Sequence, residues 1–410
     1  MKIGFLAVTL LTPLWLLSSE IKTLIEQAQN SSAIAQLSYS KEAALEEADA
    51  TLADYYPHFN IAATYMNTDR TSPFEAPEVK KYQANMEWKL FDGFFRRHQY
   101  RAALANISSL EHQSAYAKEQ LAFNVISHYI TLLNLQESLR VNDSKEDQLD
   151  VALTQVTRFY EAGSVSEDQV EAIKASLAMN RYEKSEIEMN IFSTKERLFY
   201  LSKIHVNRAK EIHFKEVQEI KNERSDIRSL KSKVIQIDEA LKSSTAIYWP
   251  QVTLSDNYSK TDYGSFDGFG GVAFPDVQNK ITLTASMVLF DGLGAKHRKE
   301  AYLKQKWMQK ERITDMLREQ KIELDIALRR IESVRSQLIS AQASVKFAHA
   351  QLDLVSKKYE ANLVDNVIYL NAVSANYSAI SGLNRAKYKL ELEKANYHFI
   401  AGNNLLEEIQ

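Results

Sequence analysis

The 410-residue chain has no cysteine, and only 11 glycines and 6 prolines. The first absence excludes thiol catalysis, disulfide staples, cysteine-based zinc sites and lipid attachment through sulfur. It leaves the compartment open, because an exported protein can manage without disulfides. The scarcity of Gly and Pro, which punctuate chains, points to long uninterrupted elements. An excess of one charge is lacking too: 50 Lys and Arg stand against 53 Asp and Glu, a net −3, so nothing argues for nucleic acid as partner. The 9 histidines are scattered without a His-Glu-x-x-His or similar spacing, so no metal or other cofactor is expected. No serine triad, phosphate loop or paired-carboxylate site stands out, and an enzyme is not expected. Beyond the N-terminus no stretch approaches the ~20 apolar residues of a spanning helix. Any membrane insertion must therefore use strands.

The N-terminus reads "MKIGFLAVTLLTPLWLLSSE": Lys2, an apolar run from Ile3 to Leu17, then Ser18 and Ser19. That three-part layout predicts a secretory signal peptide over residues 1–19. Leu17 stands where a small residue normally precedes the cut, which keeps an uncleaved anchor open as the alternative.

What is present in quantity is repetition. "LFDG" occurs at Leu90–Gly93 and again at Leu289–Gly292, 199 positions later, with His98 and His297 in the same register. At that offset "RFYEAGSV" (158–165) lands on "KKYEANLV" (357–364), and Val125, Leu132, Leu135 and Leu139 meet Leu324, Ile331, Val334 and Leu338. No gap is needed across roughly 80 residues. Tyr56-Pro57 is echoed by Trp249-Pro250 at an offset of 193, so the second copy carries a loop six residues longer, "GSFDGFGGVAF" at 264–274. The chain is an internal duplication, which implies a pseudo-symmetric protomer.

Within one copy, residues 121, 125, 128, 132, 135 and 139 form a heptad seam, and Ala122, Ile126, Tyr129 and Leu133 form a second beside it. Two adjacent seams predict a helix packed on both sides. A Gly-free, Pro-free run of that extent gives a helix of roughly 100 Å. Gly163 suits its C-cap, and Ser166 is placed to cap the helix that returns. The return helix is half as long, and residues 21–54 are expected to supply the missing half. Before the long helices, "KYQANMEWKLF" (81–91) alternates, with Tyr82, Ala84, Met86, Trp88 and Leu90 on one side and Gln83, Asn85, Glu87 and Lys89 on the other. "KITLTASMVLF" (280–290) repeats the pattern; 58–67 and 251–259 alternate more weakly and complete two hairpins. About ten residues of alternation with Tyr55, Tyr56, Trp88, Tyr248 and Trp249 near the ends is the pattern of a transmembrane β-strand with aromatic girdles. A soluble amphipathic hairpin has the same period; the N-terminal segment and the lack of apolar helices favour the outer membrane. Four strands cannot close a barrel and open edges are not tolerated in lipid, so the chain must oligomerise, and three copies give twelve strands.

A signal peptide, a duplicated hairpin, "LFDG" leading into a very long helix and a Tyr-x-x-Gly turn together resemble the outer membrane factor (TolC-like) family of efflux and secretion channels, over essentially the whole mature chain. "RSDIRSL" (224–230) is similar to an Arg-Pro-Asp-Leu opening in that family, with Ser225 in place of Pro. The implied fold is mainly α with membrane β: a duplicated long helical hairpin plus β-hairpin, trimerising into a twelve-stranded barrel and a periplasmic α-helical barrel. The domains expected are a first repeat at 20–202 (strands 55–68 and 81–91, long helix 93–161, return helix 167–202), a linker at 203–222, and a second repeat at 223–410 (strands 249–261 and 279–290, long helix 292–360, return helix 365–405). The resemblance implies a homotrimer in outer-membrane lipid, mostly periplasmic. It would serve a tripartite pump or type I secretion system through a periplasmic adaptor and an inner-membrane transporter.

Asp92 and Asp291 are expected to cap the long helices, with Gly93 and Gly292 turning the corner. The basic residues around His98 and His297 would form a collar below the membrane, with a solvated helix face as the alternative. The helix turns would form the gate: Tyr160, Gly163, Asp168 and Gln169 in the first, Tyr359, Asn362, Val364, Asp365, Ile368 and Asn371 in the second. Tyr359 matches the family's tip tyrosine. Gln169 occupies its aspartate position with Asp168 beside it, Val364 its arginine position, and Ile368 and Asn371 its inward acidic positions. Rival readings are a periplasmic adaptor, which would carry one hairpin between lipoyl-like halves, and a structural coiled-coil rod, which would lack alternating strands.

Overall fold

The computed structural model describes residues 20–69, 76–217, 223–264, 274–361 and 363–410. The expected signal peptide, Asn362 and most of the 264–274 loop lie outside these residues. Among the described residues the order is α1 (Glu20–Gln29), α2 (Ser32–Ala53), β1 (His58–Asn67), β2 (Glu78–Asp92), α3 (Phe95–Glu161), α4 (Glu167–Ser202), α5 (Ser225–Ser244), β3 (Gln251–Asp262), β4 (Val277–Ser286), α6 (Gly294–Glu360), α7 (Asn366–Ala401) and α8 (Leu405–Glu408). The two long helices have 67 residues each and the two return helices 36 each.

The chain divides into two compact units. One comprises residues 36–114 and 226–317, the other residues up to 35, 115–225 and 318–410. In the first, the strands form one antiparallel sheet in the order β1-β2-β3-β4. Its registers align the alternation across strands. Phe59 faces Met86, Ile61 faces Ala84, Trp88 faces Leu254, and Leu254 faces Leu283. Phe59, Ile61, Ile281 and Leu283 are exposed on this apolar face, interrupted mid-strand by Asp256 opposite Met86 and Ile281. The other face is polar. Along it the amides of Asn60, Asn85 and Asn257 form a ladder: Asn85 donates to Asn60 at 2.7 Å, and Asn257 donates to Asn85.

Two strand expectations shift. The alternation through Leu90 is broken by a bulge between Lys89 and Phe91, which leaves Leu90 outside the ladder. β4 stops at Ser286, short of 290, because its partner Gln251 is the first residue of β3 and the preceding Pro250 has no amide to extend the ladder. The helix expected over 21–54 is two helices, parted at Asn30 and Ser31 by turn bonds from Asn30 N to Gln27 O and Ser31 N to Ala28 O. The return helix expected to reach 405 ends at Ala401, where Gly402 adopts φ 76°.

The second unit is a helix assembly. Both seams of α3 are buried: Ala122, Val125, Ile126, Tyr129, Leu132 and Leu133 join Ile21, Leu24, Ile25, Phe214 and Leu405 in one core. Segment 203–217 and the chain's last residues are stitched by a bridge between Phe214 and Ile409 and by Gln410 N donating to His213 O. α6 buries one seam only, Ile331 and Val334, while Ile322, Ile326, Ile339, Phe347 and Leu354 are exposed.

Candidate functional site: two corners and two tips

The strand-to-helix corners lie in the sheet-bearing unit. At the first, Gly93 and Phe94 both take φ 68° before α3 begins. Asp92 Oδ2 accepts the Arg96 amide at 3.1 Å and its Nε at 2.6 Å. The same guanidinium donates to Asp54 O at 2.6 Å and Lys89 O at 2.7 Å, and lies over the Tyr55 ring at 4.5 Å. Arg96 is 5% exposed, so every one of these bonds is made out of water. The second corner repeats the backbone, Gly292 and Leu293 at φ 69°, with other side chains. Asp291 Oδ2 accepts the Ala295 amide at 2.6 Å, and Oδ1 accepts the Tyr248 hydroxyl at 2.6 Å. The Tyr248 bond, followed by the Ala295 amide and Arg298, holds the Asp291 carboxyl below the usual carboxylate range.

The tips lie in the helical unit. In the first, Gly163 at φ 70° donates its amide to Tyr160 O at 2.9 Å, and Ser164 N donates back to Phe159 O at 2.8 Å, closing the end of α3. Ser166 sits at the N-cap of α4 but makes no side-chain cap bond, against expectation; Glu167 and Asp168 in the first turn complement the helix dipole instead. In the second tip Asp365 caps α7, accepting Val367 N at 3.2 Å. Tyr359 and Tyr369 stack at 4.5 Å in a core with Val156, Val170, Ile173, Leu352, Val355 and Val373, against which Val364 packs. Burial pushes the hydroxyls of both tyrosines up. The two tips are tied by Asn366 Nδ2 donating to Gln169 O at 2.9 Å. Behind them Tyr377 donates to Gln148 Oε1 at 2.9 Å, and Gln148 donates to Tyr369 at 3.4 Å.

Of the tip residues named from sequence, the fold thus brings together Tyr359, Val364 and Gln169. Asp168, Ile368 and Asn371 are exposed, and their side chains make no hydrogen bond or ion pair among the described residues; Tyr160 is half-exposed. Asn366, Tyr369 and Gln148 carry no expectation from sequence; Tyr248 is expected only as a girdle aromatic, and Arg96, expected in the basic collar or on a solvated helix face, is instead buried. Arg96, four residues after the capping Asp92, was the readable signal among them. The described residues hold no group of His, Asp and Glu arranged for a metal, and no described helix is long and apolar enough to cross a membrane.

The described residues thus combine one four-stranded antiparallel sheet with two 67-residue helices, each entered through a glycine corner. The family model for outer membrane efflux proteins matches residues 24–201, the extent of the first repeat. Over that stretch the chain is similar to the outer membrane efflux proteins, a family of channels rather than enzymes. Solved structures similar to it include CusC (TM-score 0.82, 14% identity, covering 94% of this chain and 92% of that one). VceC from Vibrio cholerae matches with TM-score 0.80 and 16% identity over 93% and 96% of the two chains. The open-state MtrE outer membrane channel of Neisseria gonorrhoeae matches with TM-score 0.80 and 14% identity over 94% and 89%. At these identities the likeness is one of fold. No curated protein matches the sequence.

Proposed function

We propose that three copies of this outer-membrane efflux channel close a twelve-stranded barrel. They act as the passive exit duct of a tripartite pump or type I secretion system, reached through a periplasmic adaptor and gated at the helix tips. The observation that carries the reading is the sheet: β1 and β4 are edge strands with unpaired backbone, and the apolar face beside them is exposed. Unpaired edges are not tolerated in lipid, and four strands cannot curl shut. The tips support a gate of different chemistry from the acidic and arginine-bearing one of the wider family, since Val364, Ile368 and Asn371 occupy those positions. Closure here rests on the Tyr359–Tyr369 stack and the Asn366 bond.

Cross-linking of the purified protein in detergent tests the assembly. Bands should stop at three copies, and a monodisperse water-soluble monomer would overturn it. Lipid contact is tested by neighbouring substitutions. Met86→Arg on the apolar face should cost about 2–4 kcal/mol and impair insertion, whereas Asn85→Arg should be milder. Equal losses would mean that neither face meets lipid.

A further inference from the structure

The polar face of the sheet carries charge that neither corners nor tips account for. The registers place Lys81 opposite Thr64, Lys89 opposite Thr253, and Lys280 opposite Asn257 at the end of the amide ladder. Two carboxylates share this face among the described strand residues: Glu87, opposite Ser255, and, beyond the bulge, Asp92, opposite Gln251, whose charge is met by Arg96. Lys89, Glu87 and Lys280 are exposed and Lys81 is half-buried. None of the four makes an ion pair among the described residues. By contrast Lys80, on the opposite face, is paired with Glu78 at 2.9 Å. The neutral groups between the lysines are Asn60, Asn85, Asn257, Gln83, Gln278, Thr282 and Thr284, which hydrate an ion of either sign without choosing between them. The choice is therefore left to three lysines against one glutamate.

We propose that this face is the charge filter of the channel: Lys81, Lys89 and Lys280 make the barrel lumen prefer small anions over cations. The inference rests on the trimeric barrel reading, which would turn the polar face inward and repeat each lysine three times around the bore. Rings of lysine on a low-dielectric wall raise the local anion concentration. A barrel lumen is wide, so the effect is set by screening. The Debye length is ~8 Å at physiological salt and ~30 Å at 0.01 M, so the preference is modest in the first condition and pronounced in the second.

The absence of cysteine makes the test direct, because Gln83→Cys supplies the sole thiol, on the polar face between Lys81 and Asn85. The full-length protein, reconstituted in neutral phosphatidylcholine vesicles, is treated with two methanethiosulfonates of similar size, one sulfonate-bearing and one trimethylammonium-bearing. Rates are normalised to those with a small free thiol. At ~0.01 M salt the anionic reagent should be favoured by roughly threefold to tenfold, and the ratio should approach one at 1 M. Lys81→Glu with Lys280→Glu should invert it. Equal normalised rates at low salt, or a preference unmoved by the two reversals, would overturn the proposal. Should Gln83→Cys not insert, Thr284→Cys, opposite Thr253 on the same face, carries the same comparison. Met86→Cys separates the underlying reading. If it reacts with both water-soluble reagents as fast as Gln83→Cys, the apolar face is in water and the barrel itself is refuted, whatever the charge ratio.

Discussion

The two corners are one sentence of sequence written twice, and they are not fastened alike. Both set two successive residues at φ near 70° and both use the aspartate of "LFDG" to accept an amide of the first helical turn. At the position of Arg96, however, the second copy has Ala295, and the tyrosine preceding each first strand changes its task accordingly. Tyr55 lends its ring to the guanidinium, while Tyr248 lends its hydroxyl to Asp291. Duplication preserved what the backbone needs at a strand-to-helix turn. It left free how the carboxylate is neutralised.

The comparison is broken hardest at the glycines. A Cβ on Gly93 would stand 2.4 Å from Trp249 Cβ and 2.7 Å from Ala246 O, whereas one on Gly292 would meet nothing within 4 Å. Both positions have positive φ, so Gly292→Ala should cost only the left-handed strain, about 1–2 kcal/mol. Gly93→Ala adds a backbone collision and should exceed about 4 kcal/mol, the range of exceptional mutants. The yield of heat-resistant oligomer measures both, and similar yields would show that the corners are equivalent after all.

Next in size is the guanidinium. Arg96→Ala leaves the Asp92 carboxylate and two carbonyls without their donor in a buried setting, a loss of about 3–5 kcal/mol. Tyr248→Phe at the other corner removes one solvent-exposed hydroxyl bond, for which water substitutes, and should have a much smaller effect. Thermal unfolding in detergent distinguishes them; a Tyr248→Phe loss as large as that of Arg96→Ala would contradict the account of unequal fastening.

The helical hairpins diverge in the same manner. Asn142 and Asn180 are buried and exchange amide bonds, each donating to the other's Oδ1 at 3.1–3.2 Å and to its carbonyl. The offset of 199 puts Ala341 and Ala379 there in the second copy. Asn142→Leu should cost about 1–3 kcal/mol, because Asn180 is left unsatisfied, while the double change to Leu should recover most of it. A double mutant as unstable as the single would mean that packing, not pairing, governs the site.

How much of this was legible in advance follows from range. Alternation and heptads are local, so the four strands and both 67-residue helices could be read within a few residues. The bulge at Leu90 and the early end of β4 could not, since they depend on where β3 begins, more than 150 residues from Leu90. The second seam of α3 was legible; its partners, α1, Phe214 and Leu405, were not, because nothing local marks them. At the sites, Asp92 and Asp291 were readable from helix-cap chemistry. Arg96 reads from sequence as one of a basic collar, not as a buried fastener, because its bonds to Asp54, Lys89 and Asp92 exist only once the sheet and α2 are in place. Ser166 shows the converse: a residue type suited to capping, at the right position, whose side chain makes no cap bond.

The smallest effect is expected at Tyr359, and it sharpens the contrast between corner and tip. The corner carboxylates are hydrogen-bonded, but the Tyr359 hydroxyl is buried, the residue being 6% exposed, and finds no partner among the described residues. An unsatisfied buried hydroxyl is a liability, so Tyr359→Phe should be neutral or stabilise the isolated tip by under about 1 kcal/mol, leaving the stack on Tyr369 intact. In the assembled channel the outcome depends on whether a neighbouring copy supplies an acceptor. If it does, the substitution loosens three equivalent tips at once and conductance in a planar bilayer rises while thermal stability holds. If conductance and stability are both unchanged, the hydroxyl has no role in closure, and the gate rests on apolar packing by Tyr359, Tyr369, Val364 and their neighbours. A fall in thermal stability would contradict both, showing that the hydroxyl is bonded within the protomer.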